Sequence, residues 1–430
     1  MRSRWPRSAL VAQGLFRRSQ CAAALVSLTT LIGCGSDDAV PQLAPEGKPV
    51  GFDVVDAPVR GVDARWLAEF NDGDLAFAKA LREADGLGPL YTRASCAACH
   101  ETGSRGPGLV QKMAVVEADG VTPSADQSKL EYGHTVHPLA AGGGRLPILP
   151  PSDAADVKVS QRLGPPVIGR GYLEAVADSE IERVAAEQAA RGGPVSGRVN
   201  YVTYESEPNP ASEFPSHEKG EVTIGRLGVK ARIATMDDFT ADAFQGDMGI
   251  TSPLRPVEFR NPDELADDMR PGVDVGLKSV NVRANYIRLL AIPLRVTQPQ
   301  AAALFEQAQC SSCHVSSLRT RADYPIAQLA DIDAPIYTDL LLHDMGSELA
   351  DGLPADSGGD GTATSFEWRT APLIGLRFNN SFLHDGRAKS VEQAILLHRG
   401  EGSEANAAVD AFEALDEEQR ESLLRFVEAL

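Results

Sequence analysis

Two short stretches, Cys96-Ala-Ala-Cys99-His100 and Cys310-Ser-Ser-Cys313-His314, decide the reading of this chain. The spacing C-x-x-C-H is that of a c-type haem attachment site. Two thiols add to the haem vinyl groups, and the next residue turns its imidazole onto the iron as proximal ligand. Three other readings compete: a disulfide, a thioredoxin-like dithiol, which does not require the histidine, and a zinc site, which needs further Cys or His pairs at metal spacing. The chain holds six cysteines, and two complete motifs use four of them. Cys96, Cys99, Cys310 and Cys313 are therefore expected to carry two covalent haems, with His100 and His314 on the irons. The motifs lie 214 residues apart, so each haem is expected in its own domain.

The other two cysteines belong to an address. Arg2, Arg4, Arg7, Arg17 and Arg18 precede the apolar stretch Cys21 to Gly33, with no acid among them. A basic region followed by a short apolar run reads as a secretory signal, and haem c is loaded outside the cytoplasm. Leu31-Ile32-Gly33-Cys34 resembles the bacterial lipobox, in which the cysteine is acylated and becomes the new N-terminus. The alternative is an ordinary signal with an incidental cysteine. Acyl chains on Cys34 would hold the protein on a membrane surface without spanning it. Gly35 after the cysteine favours the outer membrane, on its periplasmic side, over inner-membrane retention.

Composition narrows the function further. Of 430 residues, 41 are Lys or Arg and 60 are Asp or Glu, a formal charge of −19. Loss of the signal, with five arginines and no acids, leaves 36 against 60, or −24. That balance argues against a nucleic-acid partner, which requires a basic face. It suits a basic redox partner such as a small donor cytochrome.

The periodicity is mainly helical. Asp72 to Ala84 reads as a helix before the first motif. Pro299 to Ala308 reads as one running into the second, with Thr297 as its cap. Ser179-Glu-Ile-Glu182 and Ser390-Val-Glu-Gln393 are capping boxes, for helices ending at Gly192-Gly193 and near Gly400. A last helix from Asp416 to Leu430 carries the stripe Leu423, Phe426, Val427 and Leu430. The expected fold is mainly α, with two cytochrome c-like haem domains, long loops and little β. The expected division is a signal peptide over 1–33, a flexible lipidated tether over 34–61, a first haem domain over 62–290 and a second over 291–430.

The segments Trp368-Arg-Thr-Ala-Pro-Leu-Ile-Gly-Leu376, Ser381-Phe-Leu-His-Asp-Gly-Arg387 and Ser390-Val-Glu-Gln-Ala-Ile395 resemble the bacterial di-haem cytochrome c peroxidase and methylamine-dehydrogenase-maturation superfamily. The chain is most similar to the branch called di-haem oxidoreductases, sometimes labelled thiol oxidoreductases. Gly86-Leu-Gly-Pro89, Asp247-Met-Gly-Ile-Thr-Ser252 and Tyr337-Thr-Asp-Leu-Leu-Leu-His-Asp-Met-Gly346 carry that closer likeness, which covers about residues 62–430. The resemblance implies a peroxidase-like enzyme that passes electrons from the His314 haem to the His100 haem, with peroxide or a related oxidant as substrate. The alternatives are a non-catalytic electron-transfer cytochrome and a haem oxidant of a protein partner.

It also implies particular residues. The superfamily places the second haem's distal ligand fourteen residues beyond the His-Asp-Gly histidine, here from His384 to His398, where Met is usual. Val391, Ile395 and His398 share one helical face, so the imidazole is expected to point inward, as iron ligand or as core residue. His in place of Met would lower that haem's potential. Met345 and His343 are reserve ligands, read here as structural. Asp247 stands where the superfamily has a catalytic Glu, as acid/base for peroxide or as a turn cap. His134 or His137 would instead close the first iron as a sixth ligand. Trp368 is either an electron relay or core packing, and a calcium ion between domains is a superfamily feature without a clear loop here.

Overall fold

The computed structural model describes residues 40–42, 55–100, 109–142, 145–264, 272–297, 299–355 and 361–430. The signal segment, Cys34 and most of the expected tether lie outside them. The first helix, α1 (Ala64–Ala78), is opened by Asp63, whose carboxylate accepts from the Trp66 backbone N–H at 2.9 Å. It therefore starts two turns before the expected Asp72, because the capping carboxylate lies upstream of the apolar run. Gly73 sits mid-helix where it would ordinarily be unfavourable. A Cβ there would come 2.4 Å from the Tyr286 Cβ and 2.6 Å from the Val282 carbonyl oxygen, so its absence is what lets the two helices touch.

Eight more helices follow among the described residues: α2 (Arg170–Ala175), α3 (Asp178–Arg191), α4 (Met236–Met248), α5 (Leu277–Leu289), α6 (Pro299–Gln307), α7 (Val391–Leu396), α8 (Asn406–Glu413) and α9 (Glu417–Ala429). Strands occur only as two-stranded antiparallel pairs among the described residues, the longest joining Leu109–Val115 to Val157–Leu163. The fold is mostly helical with little sheet.

Local signals held with small shifts. The Asp416 capping box with Gln419 is complete, and Leu423, Phe426, Val427 and Leu430 are buried as the stripe requires. The Ser390 side chain caps Gln393, but the Gln393 amide oxygen takes the Lys389 N–H rather than that of Ser390. At α3 no capping box forms: Ala177 is the cap residue, and its N–H goes to the Arg319 carbonyl. Thr297 lies in a short strand, not at a cap.

The main core runs from Val59 to Ile374 and draws residues from both sides of position 290. A second core, including Phe305, Tyr337, Phe412 and Phe426, is built from residues 301–430. Residues 57–59, at the end of the expected tether, are docked. Val59 is 1% exposed, and its N–H donates to the Leu289 carbonyl at 2.7 Å.

Alanine at position 73 gains about 1 kcal/mol of helix propensity. Overpacking against backbone and Cβ atoms costs about 1–3 kcal/mol, so the clash wins. Gly73→Ala is expected to lower stability by up to about 2 kcal/mol, read as a lower denaturant midpoint with an unchanged slope.

Candidate haem sites

In the first motif, the Cys99 and His100 N–H groups donate to the Cys96 carbonyl, and the Ala97 N–H reaches the Phe77 carbonyl at the end of α1. This tight turn presents both thiols and the imidazole on one side. The His100 Nδ1 pairs with the Pro165 carbonyl at 2.8 Å, which leaves Nε2 for a metal. Gly164 makes that contact sterically feasible: a Cβ there would lie 2.8 Å from the Cys99 oxygen.

Cys96, Cys99 and His100 share one cavity with Asp247. Its walls are apolar, with Phe77, Leu163, Leu227, Phe239, Phe244 and Ile287 among them. It is also lined by six arginines and Lys112, against Asp247 as the one acid among the described lining residues. Arg283 Nε and Thr240 Oγ1 on this lining are buried with no hydrogen-bond partner. A large flat apolar group carrying two carboxylates suits such a site, and haem is that group.

Gly86-Leu-Gly-Pro89 and Asp247-Met-Gly249, distant in sequence, meet here. Gly88 N–H donates to the Met248 carbonyl at 3.0 Å, and Thr92 N–H to the Asp247 carbonyl at 2.7 Å. Gly249 caps α4 at φ +66°, and a Cβ on it would stand 2.4 Å from the Gly88 oxygen. This close approach carries Asp247 to the cavity wall. Burial pushes its carboxyl up to about 6, against the pull of Lys112 and Arg232 and with the help of Asp242.

The second motif repeats the pattern. Cys310-Ser-Ser312 forms one 3-10 turn after α6, and the His314 N–H donates to the Cys310 carbonyl at 2.9 Å. The His314 Nδ1 pairs with the Tyr337 carbonyl at 3.0 Å. Phe305 meets the imidazole edge-on at 6.5 Å, and Cys310, Phe382 and Ile395 pack on the second core. Burial, with a smaller contribution from the nearby His398, brings His314 down to about 4 against the pull of the Tyr337 carbonyl. His100 is also shifted down by burial, so both imidazoles are neutral and ligand-competent at pH 7.

His398 acts electrostatically on His314, and it sits in the turn after α7, which ends at Leu396. Its Nδ1 pairs with the Ala394 carbonyl at 2.6 Å, again sparing Nε2. His134 and His137 are not among the cavity-lining residues, and His137 Nε2 is engaged by the Gly246 carbonyl at 2.7 Å. His343 is buried between Asp339 (2.8 Å) and Glu404 (2.6 Å), whose charges overcome burial and keep it protonated. Cys313, Asp339 and His343 lie within 4.8 Å of one another, but sulfur and imidazole are not donors for calcium.

Trp368 is buried and stacks on His384, with ring centroids 3.7 Å apart and planes 11° apart. Lys230 Nζ lies 4.1 Å from the Trp368 ring centroid, and that cation disfavours removal of an electron from the indole. The cavity's arginines, the Trp368 stack and the His343 triad were not legible as a site. The arginines come from segments far apart in sequence; Asp339 and His343 are four residues apart and Trp368 and His384 sixteen, but only the fold brings Glu404 and Lys230 to them.

No disulfide joins the four motif cysteines, and burial raises each thiol, Cys99 to about 11 and Cys310 to about 12. Such thiols are poor thiolates, which weighs against dithiol redox chemistry. Residues 152–430 match the family model described as "Di-haem oxidoreductase, putative peroxidase". The chain belongs to that family. The matched region contains the second motif, Asp247 and His398, while the first motif lies upstream of it.

Two solved structures run along most of this di-haem oxidoreductase. Hydrazine synthase of Kuenenia stuttgartiensis is 12% identical, covering 96% of this chain and 100% of that one, with a TM-score of 0.37. A variant of the diheme peroxidase BthA of Burkholderia thailandensis is 14% identical, covering 90% and 88%, with a TM-score of 0.35. Likenesses this low carry nothing about mechanism. Curated proteins give no match.

If His398 binds the second iron, His398→Met raises that haem's potential by on the order of 100 mV, within the roughly 0.8 V that axial ligands span. Spectroelectrochemical titration reads the shift, and an unchanged potential refutes ligation.

Proposed function

We propose that this di-haem oxidoreductase reduces peroxide at the cavity shared by Cys96, Cys99, His100 and Asp247, using electrons delivered through the second site. The observation that carries the proposal is Asp247, a carboxyl raised to about 6 on the wall of the cavity that holds His100. Haem bound there supplies an iron that exchanges electrons with a bound oxidant. The chain's residues do the rest. The Pro165 carbonyl orients His100 through Nδ1. The apolar walls exclude water from the reaction, while the lining cations offset the charge of the cofactor's carboxylates. The Asp247 carboxylate takes the proton from the near peroxide oxygen and returns it to the far one. Two electrons and two further protons then complete the conversion of peroxide to two waters.

Both haems are joined to the chain by thioethers, one at each motif, and the two cytochrome c-like sites share the main core that spans position 290. His398 is the second iron's distal ligand. Cys34 is acylated and holds the protein on the periplasmic side of the outer membrane, where an acidic surface receives a small basic cytochrome.

Deprotonated Asp247 is the active form, so kcat/KM for peroxide should rise with pH through about 6. Asp247→Asn should remove that limb and lower kcat by roughly 100-fold or more. Two low-spin haems with no peroxide turnover would instead favour a pure electron carrier. The same shift acts on stability. A folded-state value above the ordinary aspartate value of 3.8 penalises the charged form, so the penalty grows as pH rises from about 4 and is complete above about 6. Asp247→Asn should therefore melt higher than wild type at pH 7 and equally at pH 3.

Covalent attachment predicts that the denatured chain keeps two haems by pyridine haemochrome assay, and a Cys310→Ser, Cys313→Ser variant one. Acylation predicts that Cys34→Ser leaves the membrane fraction.

A further inference from the structure

Tyr286 is a buried tyrosine on the proximal side of the first cavity that the peroxide reaction leaves unused. It is 2% exposed on α5, and its hydroxyl donates to Asp56 Oδ1 at 2.8 Å. Its ring lies 5.1 Å from that of Phe77, and Phe77 lies 6.3 Å from the His100 imidazole. Only one ring thus separates the phenol from the proximal histidine. Phe77 itself lines the cavity, and the missing side chain of Gly73 brings α1 against Tyr286. Asp56 comes from the docked segment next to Val59, so that segment places a carboxylate on a phenol in the protein interior.

This geometry satisfies the two conditions for oxidising a tyrosine in a protein interior. The electron needs a short path through packed rings, and the phenolic proton needs a base already hydrogen-bonded to it. Burial, Asp56 and Asp74 all hold the phenol protonated, so electron loss without proton loss would leave a buried cation. Trp368, by contrast, has Lys230 at its face.

We infer that Tyr286 is a one-electron donor to the first haem site, and that Asp56 is its proton acceptor. The inference rests on the reading that a haem in that cavity is oxidised by peroxide. One electron leaves the phenol and fills a one-electron vacancy produced there when peroxide is reduced. The O–H bond breaks, the proton passes to Asp56 Oδ1, and a neutral phenoxyl radical remains. The reverse transfer restores the tyrosine when an external donor supplies an electron.

The test uses the full-length holoprotein, mixed with excess hydrogen peroxide, freeze-quenched and read by electron paramagnetic resonance. A tyrosyl signal that narrows with ring-deuterated tyrosine and vanishes in Tyr286→Phe supports the assignment. Asp56→Asn keeps an acceptor for the hydroxyl but removes the base, and should slow radical formation by roughly 100-fold, the lower end of what a positioned base supplies. A haem spectrum that changes with peroxide while the radical yield is equal in wild type and Tyr286→Phe overturns the inference. So does a radical indifferent to Asp56→Asn. A haem spectrum unmoved by peroxide refutes the peroxidase reading instead. In that case one-electron oxidation of the same holoprotein and variants with hexachloroiridate decides the role of Tyr286 by the same signals, an unchanged yield in either variant overturning it.

Discussion

A fully buried guanidinium holds the arrangement together. Arg288, on α5, is 0% exposed and pairs with Glu174 of α2 at 2.6 Å and with Asp237 of α4 at 2.8 Å. Glu174 also accepts from the Met236 N–H and the Tyr324 hydroxyl. Truncating one partner of such a pair costs about 3–5 kcal/mol, because the other charge is left uncompensated in the interior. Three helices are thereby locked at one point, and their remaining faces follow. Asp247 at the end of α4 and Arg283 and Ile287 on α5 reach the first cavity. Tyr286, between the last two, is turned toward α1.

Absent side chains do the complementary work. Gly249 lets the end of α4 lie on Gly88, and Gly164 lets the Pro165 carbonyl reach His100. The first contact explains why two short motifs about 160 residues apart belong to one site. The cavity they close is apolar in its walls and cationic in its charge, and it holds Asp247 as the one acid among its described lining residues. Desolvation moves that acid toward neutrality while the cations restrain it, and a value near 6 is what a proton carrier needs around neutral pH.

The parts legible in the sequence were those governed by near neighbours. The α9 cap and stripe were read correctly because Asp416, Gln419 and the apolar series act within a few residues. The start of α1 was placed too late because its cap, Asp63, lies upstream of the apolar run, and the contact that seats the helix, Gly73 on Tyr286, joins residues more than 200 apart. At α3 the Ser179 box did not form because the cap region is engaged by Arg319 from a distant strand.

The sequence by itself marked two candidate haem attachment sites, since C-x-x-C-H is a matter of spacing, and the mostly helical class, since periodicity is local. The resemblance to the di-haem peroxidase superfamily singled out His398, fourteen residues beyond His384. Tertiary structure alone decided which cations face Asp247, that the segment before α1 is docked, and that Asp56 meets Tyr286. Those pairings depend on burial and on contacts between remote segments, and neither leaves a pattern along the chain.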